Sequence, residues 1–149
     1  MRRLPPWPHL ILIAVMLAAT SAQASQQEVL RYFSIATVQP LVEYCQARAP
    51  ERGTDVQRGF DNYVLRLEDA LRGRRPGRGV PDRLTPEMKT EALAAGARLV
   101  QSIQHIDPAT YCAWLASRLQ LATREMMVES LDQFDRQIEA SPTVPKPER

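Results

Sequence analysis

The residues with the most reactive side chains are few: two cysteines, a histidine and a cluster of arginines. Cys45 and Cys112 are the only cysteines. In an oxidising compartment such a pair reads as a disulfide. A pair this far apart, with so little histidine nearby, is not a zinc signature. His9 lies in an apolar leader, which leaves His105 as the remaining candidate base, metal ligand or haem ligand. A di-metal bundle site needs Glu-x-x-His, but Ser102 stands three residues before His105. No Cys-x-x-Cys-His is present, which excludes covalent c-type haem. No Gly-x-Ser-x-Gly and no Gly-rich phosphate loop occurs either. These patterns imply no metal and no obligatory cofactor.

Arg72, Arg74, Arg75, Arg78 and Arg83 lie in one Gly- and Pro-rich stretch whose only local acid is Asp82. They form a candidate contact for an anion or an acidic partner. The opposing reading is internal neutralisation by Glu125, Glu129, Asp132, Asp135 and Glu139 further along the chain. Arg31, Arg66, Arg98 and Arg118 are the remaining candidates for a charge-driven site, or else surface arginines lying over apolar neighbours.

The N-terminus bears on where this chemistry takes place. Arg2 and Arg3 precede an apolar run from His9 to Ala19, and Ala22-Gln23-Ala24 has the small residues of a cleavage site. The run is too short for a bilayer span, which needs about 20 residues. Residues 1–24 are therefore expected to be a cleavable secretory signal, with the mature chain starting at Ser25. No membrane span is expected after cleavage, and the destination is the periplasm or the exterior.

The whole chain has 19 basic and 17 acidic residues. Arg2 and Arg3 leave with the signal, so the mature protein is formally neutral. That argues against nucleic acid as a partner.

The remaining chain is one domain's worth of sequence. A helix is expected from residue 26 to 48, with a kink near Thr37 or two helices meeting there because Pro40 lies inside it. Thr54 and Gln57 have the spacing of a capping box, and Val56, Phe60, Tyr63, Val64, Leu67 and Leu71 follow on one helical face. Gly73 stops that helix, and residues 72–83 form a loop.

Thr85-Pro86 and Asp107-Pro108 each read as an N-cap followed by a first-turn proline. The helix after Thr85 carries Met88, Ala92, Ala95, Leu99, Ile103 and Ile106 on its face. Ala94, Gly96 and Ala97 make a small flank beside it. The helix after Asp107 is expected to continue to about residue 140. If it outruns its partners, Leu131, Phe134 and Ile138 become an exposed interface. Residues 141–149 hold three prolines and are expected to be a disordered tail.

The expected fold is all-α: a small up-down bundle of about four helices over residues 25–140, the first kinked at Pro40. In that topology the end of helix one meets the start of helix four, which places Cys45 beside Cys112. Tyr111 and Trp114 should cover the bond.

In outline such a chain is similar to exported bacterial inhibitor, immunity and stress proteins. The resemblance implies a non-enzymatic protein that binds another protein or a second copy of itself. A ligand- or haem-binding bundle using His105 is the alternative. A small helical enzyme comes third and would need converging arginines or carboxylates.

Overall fold

The computed structural model describes residues 8–75, 77 and 79–140, with side chains from Ser25 onward except Ile138 and Glu139. The first part of the expected signal, the 141–149 tail, Arg78 and the Ile138 side chain lie outside the described set. Helix α1 spans Pro8–Arg48, followed by a 3-10 turn at Pro50–Arg52. Helices α2 (Gly53–Leu71), α3 (Pro86–Ile103), α4 (Pro108–Gln120) and α5 (Arg124–Ala140) complete an up-down bundle. No strand occurs among the described residues.

Helix α1 is one element through Pro40, not two helices meeting. Proline removes the donor that would reach the Ala36 carbonyl. Gly96 of α3 packs against that spot. A Cβ at residue 96 would lie 2.5 Å from the Ala36 carbonyl oxygen and 2.8 Å from Pro40 Cγ. Only a residue without a side chain lets the two helices approach this closely. The contact also sets the rotation of α3. Ala92 and Gly96 are buried, whereas Leu99, expected on the core face, is exposed.

The start of α2 departs from expectation. Gly53 continues in helical conformation straight from the 3-10 turn. Thr54 therefore lies inside the helix, and no side chain caps it. Gln57 instead accepts from Gln46 Nε2 and donates to Asp61. The other two caps form as read. Thr85 Oγ1 accepts from the Met88 amide, and Asp107 accepts from the Thr110 amide.

The expected long fourth helix is two helices. Helix α4 ends at Gln120, and α5 starts after residues 121–123. Asn62 Nδ2 of α2 donates to the carbonyls of Leu119, Gln120 and Ala122, satisfying acceptors that a continuing helix would have used. Thr123 Oγ1 accepts from the Met126 amide and caps the new start.

The core has two clusters. Leu41, Cys45, Val56, Cys112, Leu115 and Leu119 belong to one. Val29, Leu30, Leu67, Leu71, Met127 and Leu131 belong to the other. Tyr63 packs against both.

Candidate functional site

The disulfide joins the last turns of α1 to the first turn of α4. Cys45 and Cys112 are bonded, with Cα atoms 5.6 Å apart, and both are fully buried. Tyr111 lies edge-on to Tyr44 and 5.6 Å from Trp114. Trp114 is itself 53% exposed, and the Arg118 guanidinium sits over its ring.

The described arginines of the stretch have different surroundings. Arg74 turns inward and pairs with Asp132 and Asp135 of α5, each at 2.7 Å. Burial works against its charge, but the two carboxylates outweigh burial and raise its pKa. Arg72 pairs with Asp69 at 3.4 Å, while Arg75 and Arg83 face solvent. The neutralisation by acids of α5, weighed from sequence, is realised at Arg74.

The loop is tied to α1 as well. Gln26 Nε2 donates to the Val80 carbonyl and Gln27 Nε2 to the Leu71 carbonyl. Gly77 lies so close to α5 that a Cβ there would be 2.9 Å from Asp135 Cγ.

The expected exposed stripe on the last helix is corrected. Leu131 is buried in the core, and Phe134 packs its ring 5.5 Å from Phe33. The break at residues 121–123 seats α5 against α2, which covers Leu131 and partly covers Phe134.

His105 sits exposed in the turn between α3 and α4, away from the bundle interior. Among the described residues no group of three His, Cys, Asp or Glu side chains could hold a metal. The four other arginines are dispersed. Arg31 binds Glu68, Arg66 pairs with Asp69, Arg118 covers Trp114, and Arg98 faces solvent.

A groove that sequence reading missed runs along the outer face of α1. Glu28, Tyr32, Ile35, Gln39 and Glu43 line it at steps of one helical face, with Leu93 of α3 as its wall. Its volume is about 550 Å³. Leu93 is 55% exposed. The lined stretch of α1 is about 22 Å long at 1.5 Å per residue.

Glu28 and Glu43 stand at its two ends. Arg31, also in the lining, is taken up by Glu68, with Nη2 to Oε2 at 2.8 Å. That hydrogen bond raises the Arg31 pKa and lowers that of Glu68. Lys89 lies over the Tyr32 ring. The signal available in sequence was Leu93 itself, an apolar residue one step off the expected face of α3.

Comparison of the chain with family models, curated proteins and solved structures gives no match. No helix among the described residues is long and apolar enough to cross a membrane.

Proposed function

We propose that the chain is exported to the periplasm or the exterior and acts there as a small disulfide-bonded binding protein. Its groove along α1 takes an amphipathic helix of a partner protein. The observation that carries this reading is the groove with Leu93 on its wall. An open furrow about four helical turns long, with Tyr32, Ile35 and Leu93 as apolar contacts between polar ends, suits one amphipathic helix laid into it. Carboxylates at both ends favour a partner helix with basic residues flanking its apolar face.

Three further observations support export: the tripartite N-terminus, the buried cystine, and where the described tertiary contacts start. Gln26 and Gln27 already hydrogen-bond the loop, so cleavage before Ser25 leaves those contacts intact.

A photo-crosslinking amino acid at position 93 tests the contact. Expected is a discrete adduct with another protein, lost in the double variant Glu28→Gln, Glu43→Gln. An adduct with a second copy of the chain would replace this reading with a homodimer, and no adduct would end it. Export is tested by N-terminal sequencing of protein recovered outside the cytoplasm. Ser25 is expected first, and a retained Met1 would refute cleavage.

A further inference from the structure

A second hollow lies between α1, α2 and α5, with a volume of about 260 Å³. Phe33, Thr37 and Val38 of α1, Tyr63 of α2, and Ser130 and Phe134 of α5 line it. Its origin is the break before α5. Arg124 Nε donates to the Asp69 carbonyl at one end of α5, and Arg74 holds Asp132 and Asp135 further along. Helix α5 thus follows α2 and meets α1 where Phe134 touches Phe33, which leaves a wedge beside that contact.

The chemistry of the wedge is specific in two respects. Among the described residues its lining holds no charged side chain. It does hold hydroxyls whose hydrogen bonds are partly committed. Tyr63 Oη donates to the Ser34 carbonyl, and Thr37 Oγ1 donates to the Phe33 carbonyl. Both oxygens keep lone pairs for an incoming donor. The Ser130 hydroxyl adds a group that donates or accepts.

Aromatic walls, aliphatic flanks and neutral acceptors select a flat, uncharged molecule with one hydrogen-bonding group. Size narrows the class. An enclosed cavity of about 150 Å³ takes benzene, and this larger hollow, partly open to solvent, has room for a fused two-ring compound.

We propose that the wedge binds a neutral bicyclic aromatic carrying one hydroxyl or N–H, of the indole or naphthol class. This site is separate from the α1 groove and stands or falls independently of it. It relocates ligand binding away from His105, which is exposed.

Titration calorimetry of the purified full-length protein with 2-naphthol and with indole tests the site, with naphthalene-2-sulfonate as the charged control. Both neutral probes should bind at one site, and the sulfonate at least tenfold more weakly. Ser130→Leu fills the wedge and should weaken 2-naphthol tenfold or more. Should that variant misfold, methyl NMR on the unsubstituted protein decides. Val38 and Leu131 should shift on adding 2-naphthol, and Val56 and Leu115 at the disulfide end should not. Absence of binding, equal binding of the sulfonate, binding unaffected by a folded Ser130→Leu, or shifts confined to the disulfide end would each overturn the proposal.

Discussion

The two ends of the bundle are closed by different means. At one end a cystine joins α1 to α4 inside an apolar cluster. At the other, no covalent cross-link is present among the described residues, and polar contacts surround the second apolar cluster. Gln26 and Gln27 hold the loop, Arg31 binds Glu68, and Arg74 grips two aspartates of α5. A covalent bond limits the unfolded chain and is indifferent to pH and salt. Ion pairs and hydrogen bonds gain little net stability each, and their strength depends on solvent and protonation. The disulfide end should therefore persist where the loop end gives way, and the wedge lies toward the weaker end.

The largest break in this comparison is chemical. Reduction, or Cys45→Ser, releases a closure of 67 residues. In the chain-entropy model that costs about 4 kcal/mol. The melting temperature should fall on the order of 15 °C, read by thermal unfolding with and without reductant. An unchanged melt would show that the apolar cluster alone holds that end.

Leu131→Ala comes next. The side chain is 2% exposed, so truncation should cost about 2–4 kcal/mol in a urea titration. A near-neutral result would return Leu131 to the surface and revive its reading as an interface residue.

Asp135→Asn should cost about 1–3 kcal/mol, because it weakens a charged hydrogen bond to a nearly buried Arg74. Asp132 is 48% exposed, and its replacement should cost under about 1 kcal/mol. Hydrogen exchange should then speed up in α5 and leave α4 protected. Equal speeding in both helices would erase the distinction between the ends.

The smallest effect is that of acid. The hydrogen bond from Arg31 lowers the Glu68 pKa against the opposing pull of desolvation. A lowered folded value means the contribution is present above the unfolded pKa of about 4.3 and is lost as pH falls through the folded value. The pair is over a third exposed, so screening keeps it below about 1 kcal/mol. Urea midpoints at pH 7 and pH 3 should differ slightly less in Glu68→Gln than in the parent. An identical pH dependence would remove this pair from the contacts that stabilise the loop end.

Much of the fold was legible residue by residue. Thr85-Pro86 and Asp107-Pro108 marked helix starts because a side-chain acceptor followed by a residue without an amide hydrogen suits the first turn and little else. Gly73 marked a stop, and it takes a positive φ of 75° just past α2. The break at residues 121–123 was not legible. Its own residues contain no Gly or Pro, and the carbonyls it frees are satisfied by Asn62, far away in sequence. Thr54 misled for the opposite reason. Its spacing to Gln57 is that of a cap, but the preceding turn feeds the helix directly.

The candidate sites divide in the same way. By itself the sequence determined the all-helical class, several helix starts and the one possible cystine, because these depend on local conformational preference, apolar periodicity and the count of thiols. Tertiary structure decided the rest. It turned Arg74 inward to two aspartates, put His105 on the surface, buried Leu131 and opened a groove beside Leu93. Each of those outcomes depends on how one helix is rotated and seated against another. At α3 that rotation follows from the fit of Gly96 onto Ala36 and Pro40, a contact between distant residues that no local pattern encodes.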